Sequence, residues 1–138
     1  MKTNDDFTRQ SFLGLHAQEI LTATRVTIVG LGGGGSHVAQ QLAHIGVGHI
    51  RLIDPQEIDS SNLNRLVGAT QNDVDNGHSK VDIARRTILG VRPWIDVQSE
   101  QKNWQEVDYL IKAAHVLVGC VDGYLQRAYL EAAARRYC

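Results

Sequence analysis

Short apolar runs alternate with helix-period segments along this chain, and the alternation sets the fold class. Apolar positions spaced three and four apart predict a helix from Thr8 to Ala23, and the β-branched run Val26 to Val29 predicts a strand. A helix from Ser36 to Ile45 follows, stopped by Gly46, and then a strand from Ile50 to Ile53. The polar stretch after Asp54 reads as a long loop holding one short helical turn. Beyond it come a helix from Lys80 to Leu89, a strand from Asp96 to Glu100, a helix from Trp104 to Ala113, a strand from Val116 to Gly119 and a last helix from Leu125 to Tyr137. Short apolar strands separated by helices imply right-handed crossovers, hence an α/β fold: a Rossmann-like, mostly parallel sheet with helices on both faces. Ligands of such sheets lie beyond the carboxyl ends of the strands. Here those ends are Gly30, Asp54 and the segment Cys120-Val121-Asp122.

Composition narrows the picture without changing it. With 138 residues, 43% of them hydrophobic, the chain suits one domain with a real core. A formal net charge of −1 gives no electrostatic footprint for nucleic acid or for an anionic membrane. No apolar stretch has the length of a membrane span, and Asn4, Asp5 and Asp6 are incompatible with a signal-peptide core, so the expected location is cytoplasmic. Cys120 and Cys138 lack metal-ligand spacing and are expected to be small buried side chains. The six histidines likewise form no ligand pattern; His37 and His44 could share a helix face, with packing or solvent as the expected role. Trp94 and Trp104 are expected in the core or at its rim. Because the last helix runs to Cys138 without a cap, the reading is of the N-terminal part of a larger domain.

Candidate chemistry begins at Gly30-Leu31-Gly32-Gly33-Gly34-Gly35-Ser36, between the first strand and the next helix. Glycines accept positive φ and lack Cβ, so such a turn can bring backbone N–H groups against an anion at the positive end of the helix. Asp54, at the end of the second strand, stands where a carboxylate accepts from ribose hydroxyls; it could instead cap the turn into Pro55. In Ser60-Ser61-Asn62-Leu63-Asn64-Arg65 either serine could cap a short helix. Asn62 and Arg65 would then project from one face toward phosphate or ribose, and Leu63 and Leu66 would pack the other. A solvated polar loop is the bland alternative for Arg65. Lys80 at the start of a helix is electrostatically out of place unless an anion lies nearby, or unless it is simply solvated. Asp122 could hold a magnesium ion through one carboxylate, or cap the last helix.

Taken in order, the glycine run, Asp54, the Ser61-to-Arg65 segment, Lys80 and Asp122 resemble the ubiquitin-activating superfamily of adenylyltransferases, which includes the ThiF and MoeB enzymes. The resemblance runs from Arg9-Gln10 to the end of the chain, and residues 1–138 are read as an ATP-binding adenylation domain. It implies binding of ATP with Mg2+, and adenylation of the C-terminal glycine carboxylate of a small ubiquitin-like or sulfur-carrier protein, with release of pyrophosphate. By position, it assigns the ribose to Asp54 and the metal to Asp122. It assigns the phosphates to Asn62, Arg65 and Lys80, beside the nucleotide-binding backbone read for Gly30, Gly32, Gly33, Gly34 and Gly35. Arg9 matches an arginine that reaches a partner subunit's site, which implies a homodimer. Gln56, Leu66 and Gly123 stand where many relatives have Asp, Gln and Asn, which favours a bacterial branch outside thiamine and molybdopterin synthesis. Two other functions fit parts of the pattern. An NAD-dependent oxidoreductase would use the glycines and Asp54 but not Asn62, Arg65 or Lys80, and an inactive dimer partner would keep the fold without catalysis.

Overall fold

A computed structural model describes residues 4–137, with side chains from residue 6; the N-terminal residues Asn4 and Asp5 as side chains, and Cys138 altogether, lie outside the described residues. Four parallel strands, β1 (Arg25–Val29), β2 (His49–Ile53), β3 (Asp96–Glu100) and β4 (Val116–Gly119), form one sheet in the order β3-β2-β1-β4. Register is set by Val26 against Ile50 and Val116, and by Ile50 against Val97.

The central strand β1 is buried from Val26 to Val29 because both of its faces are covered. Val26 and Ile28 pack with Ile50 and Leu52 under α2 (Gly33–Ile45) and α4 (Lys80–Val91). Val29 and Ile53 face the other way, against Val107, Leu110, Ile111 and Leu130 of the segment around α5 (Asp108–Lys112) and of α6 (Tyr124–Tyr137). Thr27 also faces that side, where burying a hydroxyl would be costly without a partner; its Oγ1 donates to Leu110 O at 2.9 Å. Helices thus lie on both faces, as the pattern predicts.

The strands and the ends of α2 and α4 follow the sequence closely, and the differences have local causes. The expected first helix, Thr8 to Ala23, is a 3-10 helix over Asn4–Leu13 and a separate α1 (Ala17–Ala23), broken at Gly14, whose φ is +109°. α2 starts at Gly33 rather than Ser36, so the glycines with the poorest helix propensity form its first turn. It ends as read, with Gly46 at φ +89° donating to Leu42 O and Ala43 O. The expected helix Trp104 to Ala113 divides into a 3-10 turn, Trp104–Val107, followed by α5.

The connection between β2 and α4 carries two helical turns instead of one. In the first, Ser60–Asn62, the cap is Asp59 rather than either serine: its carboxylate accepts from Ser61 N at 2.7 Å. The second is α3 (Gln71–Asp75), capped by Thr70. Leu66, Ile58 and Ile83 form a third apolar cluster that seats this connection on α4, with Leu63 beside it. Trp94 packs at the edge of the first cluster and Trp104 at the edge of the second. His37 and His44 are exposed.

Asp73 of α3 is fully buried. It receives Arg86 Nη1 at 2.8 Å and Nη2 at 2.7 Å, His78 Nδ1 at 2.8 Å, and the N and Oγ1 of Thr70 at 2.8 Å each. The Arg86 guanidinium, above all, holds its carboxyl well below the usual carboxylate range. A folded carboxyl more acidic than in the unfolded chain stabilises the fold above the unfolded value of 3.8, and that contribution fades as pH drops below it. Asp73→Asn is therefore expected to cost about 2 kcal/mol at neutral pH. In thermal unfolding followed from pH 7 to pH 3, the gap between wild type and variant should narrow toward the acid end; a constant gap would contradict this.

Candidate active site

The three strand ends meet at one cavity of about 320 Å³. Its wall is built by Gly30, Gly32, Gly33 and Gly34 after β1, by Asp54, Pro55 and Gln56 after β2, and by Cys120, Val121, Asp122 and Gly123 after β4. Strand order reverses at β1, so this is the crevice at the topological switch point, where doubly wound sheets bind ligands.

Gly30 makes the turn possible. Its φ is +92°, its N–H donates to Ile53 O at 2.9 Å, and a Cβ there would stand 2.5 Å from Cys120 O. Gly35 packs so tightly that a Cβ would overlap Gly30 O. Two glycines thus let the β1 turn, the first turn of α2 and the end of β4 come together, with the N-terminus of α2 at the cavity.

Asp54 is buried, and both carboxylate oxygens are engaged: Oδ2 accepts from Leu31 N at 2.8 Å and Oδ1 from Gln56 N at 2.8 Å. It therefore caps the turn into Pro55 and also pins the glycine turn, while lining the cavity. Arg65 enters from the side; its stem lies over Gly33, with Cδ 3.3 Å from where a Cβ would be. Its Nη1 donates to Ser61 O at 2.7 Å and Asn64 Oδ1 at 3.0 Å.

Lys80 is only 6% exposed. Its Nζ donates to Gln56 Oε1 at 2.6 Å, and its backbone N to Gln56 O at 3.0 Å. Among the described residues no carboxylate pairs with this ammonium. A buried cation with a neutral partner, at the positive end of α4, is the strongest sign that an anion belongs here. Asp122 is exposed in the cavity wall, and no hydrogen bond or ion pair engages it among the described residues.

Three of the predicted site residues do not line the cavity. Gly35 packs against the backbone of Gly30 instead. Asn62 is buried in the turn below Arg65, where its Oδ1 accepts from Asp59 N at 3.1 Å. The capping box claims the side chain that the spacing pointed toward phosphate. Arg9 is exposed on the N-terminal 3-10 helix and does not line the cavity of its own chain. Conversely, Cys120 is half-buried in the cavity wall rather than in the core, and burial pushes its thiol up. Gln56, Lys102 and Trp104 also line the cavity without having been singled out for it. Among the described residues no cluster of three His, Cys, Asp or Glu could cage a metal, and no helix is long and apolar enough to cross a membrane.

Fold and cavity together define a doubly wound α/β unit with a phosphate-binding type of turn. The ThiF family model matches residues 7–137, and the chain belongs to that family. It is 32% identical over 137 residues to the adenylyltransferase and sulfurtransferase MOCS3 of Drosophila persimilis, covering 94% of this chain and 30% of that protein. It is 31% identical over 121 residues to the sulfur carrier protein ThiS adenylyltransferase of Escherichia coli, covering 88% of this chain and 48% of that one. In structure it resembles the E. coli tRNA N6-threonylcarbamoyladenosine dehydratase TcdA in complex with ATP. The TM-score is 0.86 and the identity 26%, over 96% of this chain and 55% of that one. The chain thus spans about half the length of the solved relative, and from 30% to about half of the curated ones.

Proposed function

We propose that residues 1–138 form the ATP-binding part of an adenylyltransferase that activates the C-terminal glycine carboxylate of a small ubiquitin-like or sulfur-carrier protein. The observation that carries this reading is the buried Lys80 ammonium, held by a neutral amide beside a glycine turn at a helix N-terminus. A hydride-transfer enzyme of the same fold has no need of a cation set gathered at phosphates, and an inactive partner has no reason to keep one buried. Relatives named for adenylyl transfer, and a structural relative holding ATP, support it.

In the proposed reaction the carboxylate oxygen bonds to the α-phosphorus of ATP while the bond to the bridging oxygen breaks, so pyrophosphate leaves with the electron pair. Charge accumulates on phosphoryl oxygens, and catalysis is mostly positioning and cation placement. Lys80 supplies a point charge, and Arg65, once it exchanges its contacts to Ser61 O and Asn64 Oδ1 for the ligand, a planar fork of donors. The turn at Gly30 to Gly35 contributes backbone N–H groups. Asp54 holds that turn in shape, with one lone pair per oxygen left for ribose hydroxyls. Asp122 would hold Mg2+ by one carboxylate, a mode suited to a cation that keeps phosphates and water as its other ligands. Arg9, exposed and away from its own cavity, is free to serve the cavity of a second copy in a homodimer. A cytoplasmic location suits a reaction that consumes ATP.

The likeness to the tRNA dehydratase supports a second reading, in which the activated carboxylate sits on a modified tRNA nucleoside. A net charge of −1 offers little to a polyanion and favours the protein carrier. Calorimetry with Mg-ATP and with NAD, on wild type and Arg65→Ala, tests the proposal. Wild type should bind Mg-ATP and not NAD, and Arg65→Ala should weaken Mg-ATP on the order of tenfold. NAD binding indifferent to Arg65 would overturn the proposal.

A further inference from the structure

The buried Asp73 cluster lies outside the cavity, yet it is joined to two cationic residues of the wall, Arg65 and Lys80. Arg65 and Lys80 stand at opposite ends of the connection 66–79, so their separation depends on how that connection sits. Lys80 is in the first turn of α4, and Arg86 is further along the same helix. The Arg86 guanidinium grips the connection at two points: Nη2 donates to Gly68 O at 2.8 Å, just past Arg65, and both Nη atoms donate to Asp73. Gly68, at φ +77°, fits flush against Thr87 of α4, where a Cβ would collide with Thr87 Oγ1.

From Asp73 the contacts continue to the other end. His78 donates its backbone N–H to Asp73 O at 3.0 Å, and its ring Nδ1 meets the carboxylate. Its own carbonyl accepts from Ile58 N at 2.9 Å, beside the Glu57–Ser79 bridge that leads to the Gln56–Lys80 contact. The apolar cluster of Ile58, Leu66 and Ile83 would seat the connection without fixing its register, because apolar contacts are not directional. A buried carboxylate satisfied by an arginine, a histidine and a threonine is directional, and tolerates little displacement.

We propose that Asp73, through Arg86 and His78, is a positioning residue that sets the separation of Arg65 and Lys80 for the phosphates of ATP. The inference rests on the adenylyltransferase reading for its ligand, and on the geometry of the 66–79 connection for its mechanism. Neither Asp73 nor Arg86 lines the cavity, so neither touches the nucleotide.

The test compares the full-length wild type, Asp73→Asn and Arg86→Lys, each at a temperature where far-UV circular dichroism matches the wild type. Calorimetry with Mg-ATP and with adenosine is paired with amide hydrogen exchange. Both variants should bind Mg-ATP on the order of tenfold more weakly, bind adenosine unchanged, and exchange faster over residues 66–79 with the sheet unaffected. A merely structural role would lower the melting temperature but weaken both ligands alike or neither. Wild-type affinity for Mg-ATP in the folded variants overturns the proposal. If Asp73→Asn does not fold, Arg86→Lys, which keeps the charge and loses the fork, decides alone. If wild type itself does not bind Mg-ATP, the adenylyltransferase reading falls, and unchanged exchange over 66–79 would overturn the positioning role separately.

Discussion

Replacing Lys80 by Met is expected to weaken Mg-ATP binding about hundredfold, about 3 kcal/mol, while leaving the melting temperature at or above that of the wild type. The two halves of this expectation have one cause. Lys80 is buried at the first turn of α4, where the helix already presents positive charge, and its Nζ has the neutral Gln56 Oε1 as acceptor rather than a carboxylate. Without an anion in the cavity the ammonium at the positive end of the helix is a burden on the fold. Methionine keeps most of the stem's volume and removes the burden, so stability should not fall. With phosphates bound, the same ammonium meets charge in a site screened from water, where its contribution is largest. Stability and affinity therefore move in opposite directions. A variant that loses both would mark Lys80 as a packing residue, and one that loses neither would remove it from the site. Gln56→Glu gives the complementary view: a carboxylate at 56 would neutralise Lys80 and compete with the phosphates, weakening Mg-ATP with the lysine still in place.

The parallel sheet was legible because β1, β2 and β4 are short, mostly apolar runs bounded by turn residues, and all four strands, including the mostly polar β3, fall within a residue of where Val26, Ile50, Asp96 and Val116 begin them. The cavity was legible for the same reason: strand ends are where glycine, aspartate and the Cys120-to-Asp122 segment had to converge. Local capping was less visible. Asp59, Ser60 and Ser61 all carry capping oxygens, and only the folded chain shows that the backbone of Asp59 needs Asn62 as its acceptor, which withdraws Asn62 from the cavity. The glycines of α2 hid its start because propensity argues against a helix that tertiary packing demands. The Thr70-x-x-Asp73 pair carried a capping signal for α3, but nothing in its spacing announces that Arg86 and His78 close on the same carboxylate. Periodicity reports which face of an element is buried; it does not report which polar groups meet across a connection. Gln56 shows the same limit, since only the fold brings it to Lys80.

Gly30→Ala should be among the most damaging single methyls in the described residues. Two independent penalties fall on it. A φ of +92° is strained for any residue with a Cβ, and that Cβ would press on backbone rather than on a side chain able to swing away: Cys120 O at 2.5 Å, Cys120 C at 2.7 Å and Val121 N at 3.0 Å. The expected cost is about 3 kcal/mol or more, read as a lower midpoint in urea unfolding at unchanged slope. Relief by movement would come at the site. The backbone of Cys120 and Val121 leads directly to Asp122, and the Gly30 N–H bond to Ile53 O ties the same turn to the strand that ends in Asp54. Shifting either would pull the carboxylates of β2 and β4 away from the glycine turn that they flank. Mg-ATP binding should thus be lost even in stabilising osmolyte that restores the wild-type fold, and that second measurement separates a disturbed site from a merely weakened protein. Gly32→Ala is the control, since a Cβ there meets nothing within 4 Å. It should leave unfolding near wild type, and any effect on Mg-ATP would then measure how closely the ligand approaches the turn.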